Sequence, residues 1–234
     1  MSPLVKADAL DPVPKHADAE AKGDFMTGAM QSHPMGVIET TVGGRLKEEG
    51  AAPGGSEEER VRVAATGDSA AFSELMQAYW TPVFRSVLRM LHDEASAQDV
   101  SQRAFIRAWE SLGTLKNPAR FRSWMFAIAL NLGRNELRGR ARHRHVDVDK
   151  AGLSTPAVEV GDERQAQMRR VWDAVATLPT RQREVMTLRI EADLSFREIA
   201  EALGGTEGAA RVNYCYAVKT LKAQLRGNGD RHEE

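Results

Sequence analysis

From position 56 onward, large apolar side chains recur at intervals of three and four residues. Phe72, Leu75, Met76, Tyr79, Val83, Val87 and Leu91 form one stripe, and Val100, Ala104, Phe105, Ala108, Trp109 and Leu112 form a second. Trp124, Ile128, Leu132 and Leu137 make a third, and Met168, Val171, Trp172, Val175 and Leu178 a fourth. Side chains at that spacing share one face of a helix, so each stripe predicts an amphipathic helix with its apolar side packed inward. Start and stop residues set the boundaries. Ser56 precedes three glutamates and predicts a cap for a helix running to about Ala65. Thr66-Gly67-Asp68 is a turn in which Asp68 or Ser69 caps the next helix, and another opens between Asp93 and Ala97. Gly, Asn and Pro cluster in Gly113–Arg120, which predicts a loop before a long helix from Phe121 to about Arg142. Helices resume near Arg164, and Pro179 suits the first turn of a further one. Nothing of useful length alternates with period two. The expectation is an all-α protein of two small helical domains joined by a flexible acidic linker, the C-terminal one a helix-turn-helix.

The most specific local pattern is Leu194–Leu221. Ser195 followed by Glu198 is a capping box. Ile199 and Leu203 then face inward, small Ala200 permits a close helix crossing, and Gly204 stands where a tight turn requires positive φ. A second helix is expected from about Glu207. This spacing predicts a helix-turn-helix, whose second helix normally enters the DNA major groove.

Composition extends the picture at the ends and at the joint. Residues 1–56 carry few large apolar side chains and contain Gly-Gly and Ala-Pro-Gly-Gly breakers, so they bury too little surface to offset chain entropy and are expected to be disordered. Residues 57–144 form the expected N-terminal domain, 145–163 an acidic linker with Pro and Gly, 164–226 the C-terminal domain and 227–234 a tail. The whole-chain net charge of −1 conceals alternating blocks. Residues 1–60 sum to −5, 61–144 to +6, 145–163 to −4 and 164–234 to +2. A basic block between acidic ones points to a polyanionic partner more directly than the overall balance does.

Candidate chemistry follows that charge. Phe121–Arg144 holds Arg122, Arg134, Arg138, Arg140, Arg142 and Arg144 against one acid, Glu136, with aromatic residues close by. Cations for phosphates and rings for unpaired bases are what a single-stranded nucleic acid requires. Asp99, Gln102, Arg103 and Arg107 form a polar side opposite Phe105, Ala108 and Trp109. The single cysteine, Cys215, excludes an internal disulfide and a multi-cysteine zinc site, and a reducing cytosol is the expected compartment. His143 and His145 lie beside Asp147 without a further ligand cluster, so no metal is expected. Neither a Gly-rich phosphate loop nor a nucleophile motif is present, and no catalytic residue or cofactor is expected.

The wording and order of these segments resemble the group IV, or extracytoplasmic function, sigma factors of bacterial RNA polymerase. The resemblance rests on Gly67, Asp68, Ala71, Phe72 and Tyr79, then on Asp99, Val100, Gln102, Phe105, Ala108 and Trp109. It continues through Phe121, Trp124, Met125, Ile128, Ala129, Asn131 and Arg138, and through Leu178, Pro179, Arg183, Glu184 and Val185. Glu198, Ile199, Ala200 and Gly208 match the helix-turn-helix. It spans about Glu57–Leu225 and leaves the first 56 residues without a match. Four points depart from the family wording. Arg103 stands where an acid is usual, Leu130 replaces a common Arg and Asn135 a common Asp, while Arg211–Tyr216 is less basic than usual. The last leaves either a weaker affinity for the −35 element or an unusual sequence choice.

The resemblance implies a dissociable promoter-specificity subunit that binds core RNA polymerase, reads two promoter elements and is held by an anti-sigma factor. Asp99, Gln102, Arg103 and Ile106 would contact polymerase. Lys116, Asn117, Arg120, Arg122, Asn131, Arg134, Asn135 and Arg138 would hold the unpaired −10 strand. Arg197, Arg211, Asn213 and Lys219 would meet the −35 duplex, with Arg211 and Asn213 as base readers because Arg pairs well with guanine and Asn with adenine. The competing expectation is a conventional helix-turn-helix regulator that binds duplex DNA without polymerase and has no use for the Ala97–Leu112 surface.

Overall fold

The computed structural model describes residues 55–144 and 163–229, and all of its regular elements are helical among those residues. The expectations for the N-terminal extension, the linker and the last five residues lie outside the described residues. Helix α1 spans Glu57–Ala65, α2 Ser69–Leu91, α3 Glu94–Ser111 and α4 Phe121–Arg144. In the second half α5 spans Glu163–Ala176, α6 Thr180–Glu191, α7 Phe196–Leu203 and α8 Glu207–Gly229.

The starts follow from local chemistry. Ser56 accepts from the Glu59 amide, Asp68 from Ala71 and Asp93 from Ser96, each satisfying an N–H that the first helical turn leaves without a partner. Hydrogen bonds from Ser96, with Arg140 nearby, hold the Asp93 carboxyl below the usual carboxylate range. The segment expected to be a loop contains two single 3-10 turns, Leu112–Thr114 and Pro118–Arg120, the second capped by the Asn117 side chain on the Ala119 amide.

Helices α1 to α4 pack around Phe72, Leu75, Val83, Val100, Phe105, Phe121, Met125 and Phe126, all at most 1% exposed. The buried face of α4 is broader than the expected stripe. Phe121, Met125, Phe126, Ala129 and Leu130 are buried, whereas Leu137 is exposed near the basic end. Leu137 was expected in the apolar face and is instead exposed, because at this end of α4 the side turned to α3 carries Glu136 and Arg140, which pair with Arg103 and Asp93. Gly133 lets α4 approach α2 closely: a Cβ there would lie 2.7 Å from Met90 Sδ. Tyr79, deep in α2, donates its hydroxyl to Glu57 at 2.5 Å, tying the start of α1 down; burial pushes its phenol pKa up.

The second half does not stand apart. Val185, Leu188, Leu194, Ile199 and Leu203 belong to the same buried cluster as the N-terminal helices, with α7 against α4 and α6 against α2. A smaller cluster of Trp172, Val175, Leu178, Met186, Ala217 and Leu221 joins α5, α6 and α8. The two helical sets therefore share one continuous core.

Candidate nucleic-acid interfaces

The helix-turn-helix forms as its sequence requires. Ser195 accepts from the Glu198 amide at 3.2 Å while the Glu198 carboxylate accepts from the Ser195 amide at 2.8 Å. A Ser-to-Ala change at such a cap costs about 1 kcal/mol. Gly204 closes α7 at φ +65, where a side chain is strained, and Thr206 caps α8 through the Ala209 amide. Ala210, Ala217 and Leu221 turn α8 inward, so Arg211, Val212, Cys215, Tyr216 and Lys219 face solvent. Arg197 on α7 is also open, its side chain 72% exposed beside Glu201.

Two members of this surface are engaged within the protein. The Arg211 guanidinium pairs with Glu207 at 2.7 Å and lies 5.4 Å from the Phe196 ring centroid. The Asn213 amide donates to the Ala209 carbonyl of its own helix at 2.8 Å. Tyr214 packs edge-on against Phe196. Lys219 points outward.

On α3 the polar side is presented as a ridge. Asp99, Arg103 and Ile106 are exposed and Gln102 partly so, over a floor of fully buried Phe105 and nearly buried Trp109. Arg103 bridges Asp99 at 2.9 Å and Glu136 of α4 at 3.4 Å. The acid-to-Arg departure thus ties α3 to α4 while leaving the Asp99 carboxylate 62% exposed. Arg140 ties the same helices through Asp93 and Ser96, and also pairs with Glu136 of its own helix.

The α4 set divides. Lys116, Asn117, Asn131, Asn135 and Arg138 are exposed, with Asn131 accepting from Arg134 and Asn135 from Arg138. Arg122 and Arg134, partly buried, and Arg120, itself exposed, meet the second half of the chain. Arg134 donates twice to Glu184 of α6, at 3.0 and 2.8 Å. Arg122 donates to the Ala192 carbonyl at 2.9 Å and pairs with Glu198 at 3.3 Å. Arg120 lies 3.7 Å from Glu201, which also accepts from the Ser123 hydroxyl at 2.8 Å. On α2, Arg89 pairs with Glu191 at 3.2 Å and covers the Trp172 ring at 3.9 Å, with Arg85 3.9 Å from the same carboxylate.

Exposure separates these pairs from ordinary surface ones. Arg62 with Glu58 and Glu59 is about half exposed on both sides and is worth roughly 0.2–1 kcal/mol. Glu184 and Glu191 retain only 10% and 7% of their side-chain surface, so water cannot replace the arginines if these are withdrawn. Sequence patterning alone leaves these carboxylates as solvated charges, since their partners lie far along the chain.

A helical domain with a polar ridge and a cationic helix, followed by a helix-turn-helix, defines a class of two-surface nucleic-acid-binding protein. Residues 64–143 match the family model for sigma-70 region 2, and residues 168–221 the model for sigma-70 region 4. The chain is 34% identical over 177 residues to the ECF RNA polymerase sigma factor SigL of Mycobacterium tuberculosis strain H37Rv, covering 73% of this chain and 97% of SigL. A 29% identical match to the probable RNA polymerase sigma factor RfaY of Xanthomonas campestris covers 69% of this chain and 42% of that longer protein. Among solved structures, CnrH in complex with the cytosolic domain of CnrY is 26% identical, with a TM-score of 0.57 over 73% of this chain and 97% of CnrH. The chain belongs to the sigma-70 family of RNA polymerase sigma factors, in its extracytoplasmic function group. Among the described residues no helix is long and apolar enough to cross a membrane, and no His, Cys, Asp and Glu group is placed to hold a metal.

Proposed function

We propose that this chain acts in the cytoplasm as a non-enzymatic, dissociable subunit of RNA polymerase that selects promoters through −10 and −35 elements. Asp99, Gln102, Arg103 and Ile106 form the polymerase-binding ridge on α3. Lys116, Asn117, Arg120, Arg122, Asn131, Arg134, Asn135 and Arg138 hold the unpaired −10 strand, arginines on phosphates and amides on bases. Arg197, Arg211, Asn213 and Lys219 meet the −35 duplex. The observation that carries this reading is the presence, in one chain and in family order, of a region 2 match bearing a cationic helix and a region 4 match bearing an open helix-turn-helix.

The residues at the junction add a condition. Arg120, Arg122 and Arg134 are paired with Glu201, Glu198 and Glu184, so full access to the −10 strand requires the halves to separate. Polymerase binding supplies that separation in this reading. An anti-sigma factor would oppose polymerase binding, and the CnrH–CnrY complex supports a protein partner of that kind. The deciding experiment is run-off transcription by core polymerase plus this protein on a genomic promoter library. Promoter-specific transcripts with shared −10 and −35 sequences are expected; transcription indistinguishable from core polymerase alone would overturn the assignment.

A further inference from the structure

The outward face of α8 is unusual for a DNA-reading helix in what it leaves free. Val212 and Tyr216 are 53% and 58% exposed, the most open large apolar side chains among the described residues. They stand four residues apart, one turn along a single helix face. The polar residues suited to hydrogen-bonding a base edge lie beside them, Arg211 in an exposed pair with Glu207 and Asn213 donating to the Ala209 carbonyl.

The surround identifies the occupant. Arg197, Lys219 and Lys222 are exposed around this ridge, and the helix is the second of a helix-turn-helix. A cationic rim fits a phosphate backbone on either side of a groove. Two side chains on one ridge are narrower than the contiguous apolar patch that marks a protein partner. In the major groove the one apolar base feature is the 5-methyl group of thymine.

We propose that Val212 and Tyr216 are specificity determinants that select thymine in the −35 duplex by packing against its 5-methyl group. The inference rests on the sigma-factor reading above. It also explains how a helix poorer in basic residues than its family retains sequence choice: methyl contacts add to the hydrogen bonds of Arg211 and Asn213.

The test uses the full chain with core polymerase on a promoter recovered by run-off selection. Deoxyuridine replaces each −35 thymine in turn on either strand, which deletes the methyl and leaves every hydrogen bond intact. Burial of one methyl-sized group corresponds to about fourfold in affinity, so a loss of about that size is expected at one or two positions. Val212→Ala is expected to lose the response at one of them. At the other, Tyr216→Ala loses it and Tyr216→Phe retains it. A −35 element without an A·T pair, a promoter indifferent to every deoxyuridine, or variants that respond like the parent would each overturn the proposal. So would Val212→Ala and Tyr216→Ala leaving promoter binding intact while abolishing capture by an anti-sigma protein. Failure to obtain any selected promoter would instead strike the sigma-factor reading itself.

Discussion

The two helices proposed to contact DNA, α4 and α8, differ in how much of their polar surface is open. The outer side of α8 is open from Arg211 to Lys222, and its polar contacts stay within its own half. On α4, Asn131, Asn135 and Arg138 are open, while Arg122 and Arg134 are partly buried against carboxylates of α7 and α6, and Arg120 just before α4 is exposed but lies 3.7 Å from Glu201. On the proposed reading, the difference follows from what each surface would bind. Duplex DNA needs only an exposed ridge, whereas an unpaired strand needs a deep cationic groove, and a deep cationic groove also attracts the protein's own acids. On the proposed reading, this conformation presents the duplex surface and holds part of the single-strand surface in ion pairs.

The strongest way to break the contrast is through the core that holds the halves together. Leu188 on α6 is fully buried in the cluster shared by both halves. Leu188→Ala is expected to cost about 2–5 kcal/mol, and to loosen α2 and α4 as well as the helix-turn-helix. Denaturant unfolding with hydrogen exchange on α2 and α4 measures this. Unchanged protection in the N-terminal helices would mean that the halves are energetically independent.

Next in size is removal of charge alone. The triple change Glu184→Gln, Glu198→Gln and Glu201→Gln frees Arg120, Arg122 and Arg134 without emptying the interface. Three released cations are expected to raise the isolated protein's affinity for a single-stranded −10 oligonucleotide by at least about tenfold at low salt. Affinity for the −35 duplex should stay within about twofold. Fluorescence anisotropy on both ligands makes the comparison, and equal gains on both would point to a general charge effect.

What could be foreseen in this molecule was local. Ser56, Asp68, Asp93, Ser195 and Gly204 act within three or four residues of their partners, and the helix starts they set were legible from residue type alone. The inward faces of α2 and α3 followed from periodicity. The junction was not legible: Arg134 and Glu184 lie 50 residues apart and Arg89 and Glu191 lie 102 apart, and no periodicity connects positions that distant. Within α8, helical spacing puts Arg211, Cys215 and Lys219 on one side, and all three are exposed. The engagement of Arg211 and Asn213 required coordinates, because Glu207 and Ala209 are unremarkable neighbours in sequence.

A smaller effect separates the surfaces one residue at a time. Lys219→Ala is expected to weaken −35 duplex binding uniformly across sequences and to reduce the salt slope by about one. Arg138→Ala should leave that slope unchanged and lower only single-strand binding and promoter opening, since Arg138 is exposed on α4. Opening is measured by permanganate footprinting, where a pre-melted −10 region should partly rescue Arg138→Ala. A duplex defect in Arg138→Ala would mean that the two surfaces are not separable.

The smallest expected effect is a pH dependence of the junction. His92, exposed, ends α2 in a left-handed conformation with Arg183 of α6 and Arg89 of α2 nearby. Desolvation first, and then the charges of Arg183 and Arg89, hold its pKa below the usual histidine value. Separating the halves removes Arg183 and part of the desolvation, so the open form binds a proton more readily than the packed one. Packing is therefore at full strength above the ordinary histidine pKa of about 6.5 and weakens as pH falls below it toward the depressed value. Single-strand affinity, divided by duplex affinity to cancel general charge effects, should rise modestly between pH 7.5 and 5.5. His92→Gln should flatten that ratio while leaving its pH 7.5 value unchanged. An equally steep ratio in His92→Gln would assign the proton to another group and leave the junction's contacts as the sole control on the α4 surface.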